Sequence, residues 1–191
     1  MAPQQHTLVA LVEDKPGVLN RVASMFRRRN FNIDSIAVGQ SIQPNLTRLT
    51  ILVQGDNARV EQARKQLDKV IEVVKIVDIT DFETVSRELA LIKIKATPAT
   101  RAEIIQIVDI FRANIVDVSS DSLMIEVTGD EEKVNSLLEL LRGFGIREMA
   151  RTGLIALTRG GTGPLWVDDE KYNYKKAAKP ARPASSSAAD W

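Results

Sequence analysis

The sequence predicts an α+β fold of two consecutive ferredoxin-like βαββαβ domains followed by a disordered C-terminal tail. Three observations predict it. Strand-like and helix-like apolar periods alternate in the order βαββαβ between His6 and Ile79, the same order returns between Leu89 and Leu157, and the period disappears after Gly160. A chain of 191 residues has room for two small domains, each with a modest core that gains from a neighbour.

His6 to Val12 reads as a strand, and Pro16-Gly17 opens a segment whose Val18, Leu19, Val22, Ala23 and Phe26 share one helical face. Asn30 stands where that helix should stop, in a residue type that tolerates the left-handed conformation. Phe31 to Val38 resumes as strand, Gln43-Pro44-Asn45 makes a polar turn, and Thr47 to Gln54 alternates as a third strand ending at Gly55-Asp56. Asn57 to Val70 places Val60, Ala63, Leu67 and Val70 on one face of a helix, and the β-branched run Ile71 to Ile79 closes the unit. In the second half Leu89 to Ala96 alternates Ile92 and Ile94 with Lys93 and Lys95, and Ile104, Ile107, Val108 and Phe111 form a helical stripe. Ile115 to Val118 and Leu123 to Thr128 make a hairpin around Ser119-Ser120-Asp121. A helix carrying Val134, Leu137, Leu138 and Leu141 follows, and Ile146 to Leu157 is the closing strand.

The expected organisation is a first domain over 5–80, a linker over 81–87, a second domain over 88–160 and a flexible tail over 161–191. The tail's lysine, alanine, proline and serine cannot bury enough surface to order themselves. An antiparallel sheet covered by helices on one face leaves its other face and its edges to be buried by something else, for which self-association is the natural solution.

Composition excludes several function classes. With 26 basic and 25 acidic residues the formal charge is +1, which gives no broad attraction to nucleic acid or an anionic membrane. Arg27, Arg28 and Arg29 read as the solvated last turn of a helix, where cations suit the dipole, with phosphate binding as the alternative. No apolar run is long enough for a membrane helix, and Met1 to Thr7 has no signal-peptide pattern. Without cysteine there is no disulfide framework, so a cytoplasmic or organelle-matrix location is expected.

A search for chemistry finds no catalytic constellation. The single histidine, His6, has no second histidine or any cysteine to share a metal, and no nucleophile is paired with it. The acid pairs Glu13-Asp14, Glu131-Glu132 and Asp168-Asp169 read as solvated turns, and Ser119 and Ser120 as hairpin residues. Gly160-Gly161-Thr162-Gly163 lacks the Gly-Lys-Ser/Thr ending of a phosphate loop. An RNA-binding βαββαβ unit would need aromatic residues on its central strands, and Leu8 to Val12 and Leu49 to Val53 are aliphatic throughout.

What remains is Asp14-Lys15-Pro16-Gly17-Val18-Leu19. A turn feeding a helix start offers free N–H groups and the positive end of the dipole to a carboxylate, and glycine allows close approach to the backbone. Asn32 adds an amide able to meet both an ammonium group and a carboxylate. From these residues alone an amino-acid clamp and a plain helix start both remain open.

The string Leu11-Val12-Glu13-Asp14-Lys15-Pro16-Gly17-Val18-Leu19, with Arg21-Val22 and Phe31-Asn32-Ile33-Asp34-Ser35-Ile36, closely resembles the ACT regulatory domain of the acetohydroxyacid synthase (acetolactate synthase) small subunit. Arg87-Glu88-Leu89-Ala90-Leu91-Ile92-Lys93 resembles that family's domain junction, and Ala150 to Gly160 its closing strand. The resemblance implies a regulatory subunit, without catalytic residues or a metal site of its own, in valine, leucine and isoleucine biosynthesis. It further implies a homodimer through ACT domains and valine, or leucine or isoleucine, bound between them. Gly17, Val18 and Leu19 would supply backbone contacts, Asn20 would lie beside them, and Asn32 and Ile33 would face the ligand from the partner copy. Thiamine diphosphate, Mg and FAD would belong to a catalytic large subunit that this chain activates and makes sensitive to valine. Asp14 departs from the asparagine common in the family, bringing a negative charge near the proposed carboxylate, and Asn30 replaces a common glycine. The alternative is a free-standing ACT sensor acting on another target.

Overall fold

Strand β1 (Gln4–Glu13) lies inside a four-stranded antiparallel sheet, where its period of two sends Leu8, Ala10 and Val12 to one face and Val9 and Leu11 to the other. The computed structural model that shows this describes residues 4–161 together with 163, 165 and 167. Helix α1 (Val18–Arg28) brings Val18, Val22 and Phe26 down onto the first face, and α2 (Asn57–Leu67) brings Val60, Ala63 and Leu67 beside them. Each of these buried side chains larger than alanine contributes about 1.5 to 3 kcal/mol relative to exposure. Strands β2 (Ile33–Gln40), β3 (Leu46–Gly55) and β4 (Val73–Asp78) complete the sheet in the order β2-β3-β1-β4.

Local residues set the turns. Asn30 stops α1 with φ 54°, the left-handed conformation expected of it, and Phe31 N–H closes back on the Phe26 carbonyl at 3.1 Å. The Asp56 carboxylate caps α2 by accepting from Arg59 N–H at 2.8 Å. His6 is a buried structural residue, its Nδ1 2.8 Å from Asp78 Oδ2 across the β1–β4 border.

The second unit repeats the plan. Its sheet, β6-β7-β5-β8, is built from β5 (Thr84–Lys95), β6 (Asn114–Val118), β7 (Ser122–Gly129) and β8 (Ile146–Arg151). Ala90, Ile92, Ile94, Leu123, Ile125 and Val127 meet Ile104 and Val108 of α3 (Arg101–Ile110) and Val134, Leu137 and Leu141 of α4 (Glu131–Leu141). Both units are therefore the antiparallel α+β folds expected from the periodicity.

Four features differ from expectation. The closing strand expected over 146–157 is two strands, because Gly153 at φ 82° turns the chain out of the sheet. The second piece, β9 (Ile155–Thr158), pairs with Thr84–Arg87, so most of the expected linker 81–87 is the first third of β5. The second face of the first sheet is covered in part by its own chain: Val9, Leu11, Leu46, Val74 and Ile79 cluster with Ala156, Leu165 and Val167. Packing thus extends past residue 161, because Leu165 and Val167 are apolar side chains set within a polar segment; the expected flexible remainder, 168–191, including Asp168-Asp169, lies outside the described residues. Finally, Glu13 is buried rather than solvated, with Lys15 Nζ 2.7 Å from its carboxylate.

Candidate functional site

The start of α1 is an open backbone turn. Gly17 is its N-cap residue at φ 84°, a conformation that penalises a side chain, and a β-carbon there would meet nothing within 4 Å. No side chain caps the helix, and its first turn contains no acidic residue. A helix start exposes N–H groups that have no intrahelical acceptor, so this end suits an anion. Pro16 fixes the approach, and Asp14 N–H donates to the Asn45 carbonyl at 2.9 Å, which ties the turn to the β2–β3 connection.

Side chains around the turn are already committed. Lys15 bonds Glu13 at 2.7 Å, and Arg21 Nη1 pairs with the Glu72 carboxylate from the loop before β4. Glu72 was not foreseen, since it lies 51 residues away from Arg21 in sequence and no spacing pattern links them. Val18 is buried and its N–H donates to the Lys15 carbonyl at 3.4 Å; Leu19 is 44% exposed and Asn20 is exposed beside it.

Asn32 and Ile33 lie elsewhere. Asn32 is exposed and donates from Nδ2 to Asp34 Oδ1 at 3.1 Å, while Ile33 packs against the helix-side core. Their position is set by Phe31, whose ring meets Phe26 edge-on at 6.2 Å and lies under the Arg59 guanidinium at 5.1 Å. Sequence reasoning missed that clamp because Arg59 reads as an ordinary surface residue of α2. The register shows how far apart the two halves are: Ile33 pairs with Val53 and so aligns with His6, whereas the α1 turn follows Glu13. Seven residues of strand separate those levels, about 23 Å. One chain brings Gly17, Val18, Leu19 and Asn20 together and holds Asn32 and Ile33 at the other end of the sheet.

Among the described residues no group of three or more His, Cys, Asp or Glu could hold a metal ion, and no helix is long and apolar enough to cross a membrane.

Comparison with known proteins places both units. Residues 8–75 match the family model for an AHAS small subunit-like ACT domain, and residues 87–160 match that for the small subunit of acetolactate synthase. A probable acetolactate synthase small subunit from Archaeoglobus fulgidus is 54% identical over 156 residues, covering 82% of this chain and 98% of its own. The acetolactate synthase small subunit of Mycolicibacterium smegmatis is 52% identical over 158 residues, covering 83% and 93%. The crystal structure of the acetolactate synthase small subunit from Thermotoga maritima superimposes with a TM-score of 0.76 at 43% identity, covering 83% of this chain and 99% of that one. Two matched units in the right order, over nearly the full length of these relatives, mean that the chain belongs to the acetolactate synthase small-subunit family.

Proposed function

We propose that this small subunit activates the catalytic large subunit of acetolactate synthase and makes it sensitive to feedback inhibition by valine bound at the α1 start. The observation that carries the reading is the uncapped, left-handed, exposed Gly17 turn. A valine carboxylate would accept from the Leu19 and Asn20 N–H groups, since Val18 N–H already donates to the Lys15 carbonyl at 3.4 Å, and Leu19 would offer apolar contact. The separation of Asn32 and Ile33 from that turn within one chain supports a site shared by two copies, each supplying one half. On this reading the chain forms no active site of its own, and thiamine diphosphate, Mg and FAD are held by the large subunit.

The test is reconstitution. The purified chain alone forms no acetolactate, stimulates the large subunit when mixed with it, and confers valine inhibition. Asn32→His and Gly17→Asp retain the stimulation and lose the inhibition. Acetolactate formation by the isolated chain, or failure to co-purify with the large subunit, contradicts the proposal, the latter in favour of a free-standing sensor.

A further inference from the structure

Strand β2 changes face within three residues. Ile33 pairs with Val53 on the helix-side face, but the register slips before Ser35, which pairs with Leu52 instead. Residues two apart on a regular strand share a face; this bulge at Asp34 sends Ile33 into the helix-side core and turns Ser35 toward the second unit. There Ser35 Oγ accepts from Leu154 N–H at 3.1 Å. The neighbouring residue, Gly153, lies so close that a β-carbon on it would stand 2.7 Å from Ser35 Oγ and 3.6 Å from the Ile36 backbone. Its φ of 82° adds a second reason for glycine. Gly153 is also the point where the chain leaves β8 for β9, so the contact joins β2 to the hinge of the second unit. Two further ties, Arg48 to the Ala156 carbonyl and Gln43 to the Val167 carbonyl, both at 2.7 Å, grip the far end of the β2–β3 hairpin.

We propose that Ser35 and the Gly153-Leu154 turn form a latch that transmits occupancy of the Asn32–Ile33 half-site to the second unit. The inference rests on the valine-responsive reading above and assigns Ser35 and Gly153 as positioning residues that touch no ligand. A ligand that moves Ile33 moves Ser35 two residues on, across the bulge, and Ser35 carries the β8–β9 turn with it. Coupling requires that valine favour one placement of this turn over another.

The experiment compares wild type, Ser35→Ala, Ser35→Thr and Gly153→Ala as full chains. Valine binding to each isolated chain is measured by calorimetry, and stimulation and valine inhibition of the large subunit by reconstitution. Ser35→Ala and Gly153→Ala are expected to bind valine and stimulate as wild type does, while valine's effect on the complex weakens about fivefold or more, the ordinary span of a coupling. Ser35→Thr, which keeps the acceptor, restores inhibition. Full inhibition in both disrupted variants overturns the latch and leaves the valine site standing. Loss of valine binding in both also overturns it, by making these residues part of the site or its fold. A wild-type chain that neither binds valine nor confers inhibition overturns the underlying reading and the latch together.

Discussion

The two units share a topology and differ at the one place where a ligand would matter. In the first, α1 begins at a left-handed glycine with no side-chain cap and no acid in its first turn. In the second, α3 follows Thr97-Pro98-Ala99-Thr100, where the two threonine hydroxyls bond each other at 3.0 Å and each receives the other's backbone N–H. Glu103 already occupies its first turn, and Arg101 reaches back to the Ser119 and Ser120 carbonyls. The fold supplies two equivalent helix starts, neither with a side-chain cap on its first turn; they differ in the left-handed glycine of the first and in Glu103, whose negative charge in the first turn of the second disfavours an outside anion there. Both units also carry a bulge in their edge strand, at Asp34 and at Val116, so the bulge belongs to the fold, and contact with the other unit is what distinguishes the one in β2.

The cores should respond alike. Ile51, opposite Leu8, and Ile125, opposite Ile92, are equivalent and fully buried, so Ile51→Ala and Ile125→Ala should each cost about 2 to 5 kcal/mol in chemical denaturation. A small loss at either position breaks the equivalence.

Next in size is a polar difference. Glu88 pairs with Gly129 as Gln4 pairs with Gly55, but Glu88 is buried and holds the Arg151 guanidinium by two bonds. Glu88→Ala removes two charge-assisted hydrogen bonds to Arg151 and should cost about 1.5 to 3 kcal/mol, whereas exposed Gln4→Ala should stay within about 0.5 kcal/mol. Equal unfolding midpoints for the two variants would remove this asymmetry.

Removing the threonine pair ahead of α3 is a milder change. Thr100→Ala removes the hydroxyl pair and should cost about 1 kcal/mol of stability while leaving valine inhibition intact. A change in valine response in that variant would bring the second unit into the ligand site.

The smallest effect concerns acid. Hydrogen bonding to Arg64 holds the Glu61 carboxyl at about 2, below its ordinary 4.5. A depressed folded-state value means stability present above the unfolded pKa and lost as pH falls toward the folded one. At this partly exposed helix pair the contribution is about 0.3 to 0.5 kcal/mol. Glu61→Gln should therefore lower the unfolding temperature slightly at neutral pH, with the difference vanishing as pH approaches 2. A difference independent of pH would assign the effect to packing.

Much of this was legible in the sequence because it is local. The strands and helices followed from the spacing of Leu8, Ala10 and Val12 and of Val18, Val22 and Phe26, and the turn at Asn30 from what asparagine tolerates. Gly17 as a helix start came from the Pro-Gly pair, the possible pairing with Asn32 from its amide chemistry, and the expectation that the two belong to different copies from family resemblance. Long-range features were not legible. Nothing near Gly153 announces Ser35, 119 residues from its bonding partner Leu154, and the pairing of β9 with Thr84–Arg87 depends on two segments that are unremarkable alone. Leu165 and Val167 were hidden by the polar composition around them.

The central claim, that the first helix start is the ligand end and its second-unit counterpart is not, is tested most directly by titrating valine into the full chain by calorimetry. Wild type is set beside Gly17→Asp and Thr100→Asp, which place the same negative charge at the two equivalent starts. The account predicts saturable binding in wild type and Thr100→Asp and none in Gly17→Asp; binding that survives in Gly17→Asp, or is lost in Thr100→Asp, would contradict it.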